Sequence, residues 1–277
     1  MKISFTVTIL SLLFSSTVAD EGRLLRTQRR IADYEGAMAN ANNVTFKFDP
    51  STTALVVIDP QNDFLSENGV AWGVVGESVV ENNVVDNIEY LFQAAANNDF
   101  LTFISPHHYF PHDHKWEFEG ELEKVMHGLG MFDRAGPLNL TGFEGSGADW
   151  LDQYKPYIVG AENVIVTNPH KVYGPETNDL VLQLRKRKMD SVILAGMSAN
   201  LCVEAHMRAL TEQGFEVFVA ADATAGGKTP ELGDGFAAAL INYKFISSGV
   251  YNTSEVVAMM KQTDTDEALV VDKTGGF

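Results

Sequence analysis

Short apolar runs rich in β-branched residues recur along this sequence, and each run stops at a polar residue or a glycine. Strands that are buried on both faces have unbroken runs of this kind, whereas half-exposed strands alternate apolar and polar residues. The pattern therefore predicts a parallel sheet covered on both faces. The five runs are Ala54–Ile58 before Asp59, Phe100–Ile104 before Ser105, Asn163–Val166 before Thr167, Ser191–Ala195 before Gly196, and Glu216–Ala221 before Asp222.

Stretches with helical periodicity lie between or after these runs. Strand–helix–strand units of this kind connect by right-handed crossovers and build a doubly wound, three-layer α/β/α domain of Rossmann-like type. Ligands in such sheets bind beyond the carboxyl ends of the strands. The active site is therefore expected where the polar strand-end residues meet. The predicted helices are Val79–Asn97, Thr177–Lys188, Leu201–Gln213 and Gly233–Tyr243.

The charge of the chain limits the partners that it can have. The net charge is −17 and the isoelectric point is about 4.7 over 277 residues. Binding to nucleic acid or to an anionic membrane needs clustered Lys and Arg, so neither is expected as a partner. A small-molecule substrate is the partner that fits a strand-end site.

The amino terminus has the features of a secretory signal peptide. Met1-Lys2 precedes an apolar run from Ile3 to Phe14, and Thr17-Val18-Ala19 supplies a small-residue cleavage site. The run is too short to span a membrane. The sequence thus predicts a signal peptide over residues 1–19, a basic extension over 20–48, one α/β domain over 49–277, and a secreted product.

Two further features agree with secretion but carry little weight by themselves. Arg23-Leu24-Leu25-Arg26 resembles the host-entry motif of oomycete effectors, although a short amphipathic helix that caps the domain explains the same stretch. Glycosylation sequons begin at Asn43, Asn139 and Asn252.

The single cysteine of the chain, Cys202, follows the fourth apolar run. A lone thiol cannot form an intramolecular disulfide, and a thiol at a helix amino terminus near an ammonium group is expected to have a lowered pKa. Asp59 and Lys171 also follow predicted strands, as a proton acceptor and a cation. The alternatives are a buried hydrophobe for Cys202, a helix cap for Asp59 and a surface charge for Lys171. His206, one turn beyond Cys202, is disfavoured as a dyad partner because helical side chains lean toward the amino terminus.

Three segments together resemble the isochorismatase-like cysteine hydrolases. They run in the family's order across nearly the whole domain: Val56-Val57-Ile58-Asp59-Pro60-Gln61-Asn62-Asp63-Phe64, then His170-Lys171-Val172-Tyr173-Gly174 through Leu180, then Gly196 through Cys202-Val203. The resemblance implies the α/β/α hydrolase fold and a catalytic triad of Asp59, Lys171 and Cys202.

The resemblance also implies how the site would work. In amidase members the cysteine attacks a carboxamide or carbamoyl carbon, and water then cleaves the thioester. The backbone N–H groups of Ser198 and Cys202 would form the oxyanion hole, with a cis bond between Met197 and Ser198. Phe64, His108 and Tyr173 are expected to bind substrate.

Family members are commonly homo-oligomers, and the same state is expected here. The tail Thr263–Phe277 would then pack on a neighbouring subunit. The long segment His107–Tyr157, which interrupts the strand–helix alternation, is typical of a lid or a subunit contact.

The chain departs from the family at one point. Nicotinamidase members carry an Asp-x-His…His metal site, but in the corresponding stretch here, His107–His114, only His114 matches. We therefore expect no metal and no other cofactor, although four histidines in this stretch leave a metal site open.

Three functions remain as hypotheses. The first is a cysteine hydrolase that cleaves a C–N bond of a small amide or carbamoyl substrate. The second is an isochorismatase that hydrolyses a vinyl ether to release pyruvate, possible for a secreted protein but leaving Cys202 unexplained. The third is a binding module with an inactive site.

Overall fold

The structure is a computed structural model, and it describes residues 24–33, 36 and 47–261. Residues 24–33 are helical and exposed, and the capping role expected of this stretch stays a prediction. The predicted signal peptide, Arg23, the sequon at Asn43 and the tail Thr263–Phe277 lie outside the described residues. None of the described helices has the length and apolar character needed to cross a membrane.

A six-stranded, all-parallel sheet forms the centre of the domain. The strands of the structure are β1 Thr53–Ile58, β2 Leu101–Ser105, β3 Val164–Val166, β4 Ser191–Met197, β5 Glu216–Ala225, β6 Lys228–Thr229, β7 Gly233–Asp234 and β8 Gly249–Tyr251. The strand order of the central sheet is β3-β2-β1-β4-β5-β8. A two-stranded antiparallel hairpin of β6 and β7 lies outside this sheet.

Helices connect the strands of the sheet, and three short 3₁₀ turns occur in the loops at Asp113–Lys115, Asp152–Tyr154 and Pro175–Thr177. The helices are α1 Asn62–Leu65, α2 Trp72–Glu81, α3 Val84–Asn97, α4 Glu121–Leu129, α5 Lys155–Ile158, α6 Leu180–Lys186, α7 Glu204–Glu212, α8 Gly235–Ile246 and α9 Thr253–Lys261. A π-helical turn, Ala199–Val203, joins β4 to α7.

The sheet is covered on both faces, which confirms the predicted three-layer α/β/α fold. Alternate residues of the strands pack with α6, α7 and α8 in one core; Val56, Leu194 and Val219 are examples, and all are fully buried. On the other face α3 and α9 contact each other and β5. Burial on both faces is the physical reason why these strands have unbroken apolar runs.

The structure differs from the sequence prediction in two elements. The helix predicted over Val79–Asn97 is two helices, α2 and α3, because Asn83 between them has a left-handed backbone (φ 51°) that a continuous helix does not allow. Strand β8 is a sixth strand that the sequence analysis missed, since three residues are too few to show a period.

The functional region is set by the point where the strand order reverses. Strands β1 and β4 are neighbours, and their last paired residues are Ile58 and Gly196. Gly196 has φ 115°, and a Cβ atom there would lie 2.0 Å from the Ile58 carbonyl oxygen. This close approach brings the residue after β1, Asp59, next to the turn that follows β4.

Candidate active site

Cys202 lies in the π-helical turn between β4 and α7 and is buried, with 4% of its surface exposed. The wide turn is closed by the Val203 N–H, which donates to the Ser198 carbonyl oxygen over 3.2 Å. The backbone N–H groups of Ser198 and Cys202 are directed at the thiol sulfur, where they act to lower its pKa. The peptide bond between Met197 and Ser198 is cis, as expected from the resemblance.

Asp59 supplies a fully buried carboxylate beside the thiol. Its backbone turns sharply after β1, with φ 49°, and its N–H donates to the Ser105 carbonyl oxygen over 3.1 Å. Its Oδ1 atom accepts a hydrogen bond of 2.8 Å from Nε2 of His170. Its Oδ2 atom is buried and has no hydrogen-bond partner among the described residues. The Oδ1 atom is thus fixed by a hydrogen bond, and the Oδ2 atom is available to accept a proton.

The hydrogen-bond partner of Asp59 in this structure is His170, and the catalytic role of Lys171 stays a prediction. The Lys171 ammonium lies on a different set of groups: it contacts Asp113 Oδ2 at 2.6 Å and the His108 carbonyl oxygen at 2.7 Å. It also lies 3.7 Å from the centre of the Phe110 ring. Burial lowers the pKa of Lys171, and the Asp113 carboxylate opposes that effect.

The backbone explains why His170, and not its neighbour Lys171, contacts Asp59. His170 forms an isolated parallel bridge with His107, and its N–H donates to the Pro106 carbonyl oxygen over 2.9 Å. The bridge continues the pairing of β2 and β3 beyond their ends. Adjacent side chains of an extended chain point to opposite sides, so when His170 points at Asp59, Lys171 points away from it.

His107 is the second histidine that this bridge turns toward the site. Gln61 fixes its backbone on both sides, accepting from the His107 N–H at 2.8 Å and donating to the His107 carbonyl oxygen at 2.9 Å. The two rings, His107 and His170, have their centres 4.6 Å apart. Burial, followed by the proximity of His170, lowers the pKa of His107 well below its usual range.

Four buried side chains therefore meet at the carboxyl end of the sheet. Asp59, His107, His170 and Cys202 each offer one possible ligand atom, and these atoms all lie within 4.8 Å of one another. We call this group the thiol cluster.

The environment of the thiol differs from the one expected from the sequence. Burial, followed by the Asp59 carboxylate, raises the pKa of Cys202 well above its ordinary value, although the two N–H groups of the turn act against this. The expectation of a lowered pKa in the free protein is therefore wrong. The thiol is protonated at rest and needs a base at the moment of attack, and Asp59 is adjacent to it.

His206 is a structural residue, in agreement with its low ranking in the sequence analysis. Its Nδ1 atom lies 2.7 Å from the Cys202 carbonyl oxygen, and its Nε2 atom lies 2.8 Å from Ser105 Oγ. Both ring nitrogens are thus used in fixing the turn. Burial lowers the pKa of His206 to about 3, so the ring is neutral at physiological pH.

The expected substrate-binding residues lie around the cluster in different settings. Tyr173 is partly buried, and burial raises the pKa of its hydroxyl group. The nearby Cys202 sulfur also contributes to raising the pKa of Tyr173. Phe64 is buried against Phe132, with ring centres 5.2 Å apart. His108 is buried with Nδ1 at 3.3 Å from Arg134, and burial lowers its pKa to about 3. Their roles in binding stay predictions.

The histidines of the His107–His114 stretch do not share one point. His112 is exposed and lies 3.4 Å from Asp113, whereas His114 contacts Asp133 at 2.7 Å. Only His107 of this stretch belongs to the thiol cluster, which is the one group of possible metal ligands found in the described part of the chain. Among the described residues, the histidines of this stretch therefore do not form one cluster.

Comparison with known proteins gives the family. A family model described as "Isochorismatase domain" matches residues 53–241, more than half of the 277 residues. Nicotinamidase 3 of Arabidopsis thaliana is 26% identical over 183 residues, which are 65% of this chain and 78% of that protein. The uncharacterized isochorismatase family protein YecD of Escherichia coli O157:H7 is 47% identical over 45 residues, only 16% of this chain and 24% of that protein.

The fold is also found among solved structures. The cysteine hydrolase from Pseudomonas syringae pv. phaseolicola 1448A superimposes with a TM-score of 0.63 at 19% identity, over 78% of this chain and 95% of that one. This likeness shows the fold. The family model across residues 53–241 shows that the chain belongs to the isochorismatase family of hydrolases.

Proposed function

We propose that this protein hydrolyses a C–N bond of a small carboxamide or N-carbamoyl compound through a thioester on Cys202. The observation that carries the proposal is the position of the thiol between an open carboxylate oxygen, Oδ2 of Asp59, and two backbone N–H groups directed at the sulfur. A nucleophile, a base and two oxyanion donors are the parts that acyl transfer needs. One relative of the chain, nicotinamidase 3 of Arabidopsis thaliana, is an amidase by name.

The proposed reaction has two halves. Cys202 Sγ attacks the substrate carbonyl carbon while its proton moves to Asp59, and the N–H groups of Ser198 and Cys202 hold the oxyanion. The C–N bond then breaks, and Asp59 returns the proton to the leaving nitrogen. In the second half a water molecule gives a proton to Asp59 and attacks the thioester, so that the carboxylic acid leaves and the thiol is restored.

His170 takes the place that the resemblance gave to Lys171. By donating to Oδ1 of Asp59, it leaves Oδ2 as the oxygen that handles the proton. A fully buried carboxylate without such a partner would be costly, because a buried charge needs hydrogen bonds to the atoms around it. His170 is therefore proposed as the positioning residue of a Cys–Asp–His arrangement.

The test is release of ammonia from nicotinamide and from a panel of primary carboxamides and N-carbamoyl amino acids. Cys202→Ala is expected to abolish release from any substrate that the wild type uses, while circular dichroism and the unfolding midpoint stay close to wild type. Full activity in Cys202→Ala would rule out the thioester mechanism.

The same pair of proteins tests the isochorismatase alternative. Isochorismate is incubated with each, and pyruvate is measured. Because protonation of a vinyl ether needs no thiol, pyruvate formed equally by both proteins would assign the vinyl-ether reaction and remove Cys202 from the chemistry. No pyruvate from either is the result expected here.

Export and assembly are proposed with the function. The apolar run Ile3–Phe14 and the small-residue site Thr17–Ala19 support a secreted hydrolase. Mass spectrometry of the protein from a secreting host tests the export proposal, since a mature chain that begins at Asp20 is expected.

We also propose that the protein is a homo-oligomer in solution. Sedimentation measures the oligomeric state, and a monomer at micromolar concentration would contradict this proposal.

A further inference from the structure

Several possible ligand atoms of the thiol cluster make no hydrogen bond within the described part of the chain. Asp59 Oδ2, His107 Nδ1 and His170 Nδ1 are all buried and have no hydrogen-bond partner among the described residues. Asp59 and His170 are fully buried, and His107 is 1% exposed. Buried polar atoms are nearly always paired, because an unpaired one loses its hydrogen bonds to water without replacement. Three such atoms at one place indicate a site built to receive another group.

The chemistry of the four side chains selects the class of that group. One thiolate, two imidazoles and one carboxylate are the donors that proteins use for Zn²⁺ and for similar borderline-soft ions, whereas Mg²⁺ and Ca²⁺ prefer oxygen ligands alone. The charges also balance, since one thiolate and one carboxylate neutralise a divalent ion inside the protein.

The spacing is suitable for four-coordinate binding. Ligand atoms around a tetrahedral Zn²⁺ ion lie about 3.5 Å apart, given metal–ligand distances of about 2.0–2.3 Å. One possible ligand atom from each of the four side chains of the cluster lies within 4.8 Å of the other three.

We propose that Asp59, His107, His170 and Cys202 bind one Zn²⁺-class divalent ion, and that the bound form is an inhibited state of the enzyme. Binding replaces the thiol proton of Cys202, which is released to solvent, with a metal–sulfur bond. The sulfur is then unable to attack a carbonyl carbon, and Asp59 is unable to accept its proton. This site differs from the His107–His114 stretch considered from the sequence, since it contains the nucleophile itself.

The test uses Co²⁺ as the probe, added to purified protein that has been freed of metal with a chelator. We expect one Co²⁺ per chain, the ultraviolet band of cobalt bound to thiolate, and the strong visible bands of a tetrahedral site. The thiolate band should disappear in Cys202→Ala. Absence of the thiolate band in the wild type would overturn the proposal.

A second variant tests the histidine that has no part in the proposed hydrolysis. His107→Phe keeps an aromatic ring against Phe132, whose ring centre lies 4.9 Å from that of His107, and is expected to weaken Co²⁺ binding by at least about tenfold. The matched control is His112→Ala, because His112 belongs to the same stretch but is exposed. Equal Co²⁺ affinity in His107→Phe and wild type would exclude His107 as a ligand. A change of similar size in His112→Ala would indicate unspecific binding and would also overturn the proposal.

Protection of the thiol gives a readout that does not depend on activity. Zn²⁺ is expected to slow alkylation of Cys202 by iodoacetamide at least about tenfold, with full recovery after a chelator is added. Unchanged alkylation in saturating Zn²⁺ would contradict metal–sulfur bonding.

The metal site shares Cys202 with the proposed function, but the two proposals can fail separately. Cobalt spectra of a thiolate site without amide turnover would contradict only the hydrolase proposal. Amide turnover without a cobalt–thiolate band would contradict only the metal site.

Discussion

Asp59 is the residue on which the chemistry of the site depends. It is fully buried, it accepts from His170 with one oxygen, and it keeps the other oxygen unpaired beside Cys202. Its negative charge also raises the pKa of the thiol that it is proposed to deprotonate. The same carboxylate thus keeps Cys202 protonated at rest and receives its proton during attack.

This dual role predicts opposite effects for Asp59→Asn. Removal of the charge should lower the pKa of Cys202, so the midpoint of its alkylation by iodoacetamide should move to lower pH. Loss of the base should reduce amide turnover by about 100- to 10,000-fold. Alkylation is followed against pH by mass spectrometry. An unchanged or higher midpoint would show that Asp59 does not act on the thiol.

A second prediction separates His170 from Lys171. His170→Ala should reduce kcat at least about tenfold more than Lys171→Ala, because His170 donates to Asp59 and Lys171 contacts Asp113 instead. His170→Gln should restore part of the loss, since its amide can donate to the same carboxylate oxygen. A larger loss of kcat in Lys171→Ala would return the role to the lysine that the sequence suggested.

The thiol cluster contains His107 and His170, each of which is next in the chain to a residue singled out from the sequence. The substrate-binding role expected of His108 and the catalytic role expected of Lys171 stay predictions. A one-residue shift of an extended chain turns every side chain to the other side. The motif gave the correct segment, but the His107–His170 bridge that decides the direction joins residues far apart in the sequence and leaves no local pattern.

At the scale of elements, the site depends on how closely β1 and β4 approach at their ends. Gly196 allows this approach because it has no side chain and a backbone angle, φ 115°, that other residues rarely adopt. The strands themselves could be predicted from their apolar runs, and so could the residues at their ends. The break between α2 and α3 at Asn83 could not, because the apolar pattern continues across it.

Gly196→Ala is expected to damage both stability and activity. The added methyl group would meet the Ile58 carbonyl oxygen at 2.0 Å, which must push β4 away from β1 and lower the free energy of unfolding by about 3 kcal/mol or more. The control is Gly73→Ala in α2, where a Cβ atom meets nothing within 4 Å, and a change of no more than about 1 kcal/mol is expected. Urea unfolding measures both. Equal stability of the two variants would contradict the close approach.

At the scale of the whole molecule, the buried histidines make the fold sensitive to acid. Burial lowers the pKa of His108 and of His206 to about 3 in the folded protein, from an ordinary value of 6.5. The unfolded chain therefore binds more protons than the folded one between these values, so stability falls as the pH drops below about 6.5. This window begins above the range in which ordinary carboxylates titrate.

The predicted size of this effect can be measured by urea unfolding between pH 7 and pH 5. Each buried histidine should contribute a loss of about 1.4 kcal/mol for every pH unit below about 6. His206→Asn should reduce the slope, and His112→Ala, which changes an exposed histidine, should leave it unchanged. A stability that does not vary between pH 7 and pH 5 would show that these histidines are not held neutral by the fold.

The central claim, that Cys202 forms a thioester, is tested most directly by trapping that intermediate. A substrate from the amide panel is mixed with the wild type and with Cys202→Ala, the reactions are quenched in acid, and peptides are analysed by mass spectrometry. A parallel reaction contains hydroxylamine, which converts a thioester to a hydroxamate. The account predicts an acyl adduct on the Cys202 peptide and a hydroxamate product, both absent from Cys202→Ala. Ammonia released at equal rates by the two proteins, with no adduct and no hydroxamate, would contradict it.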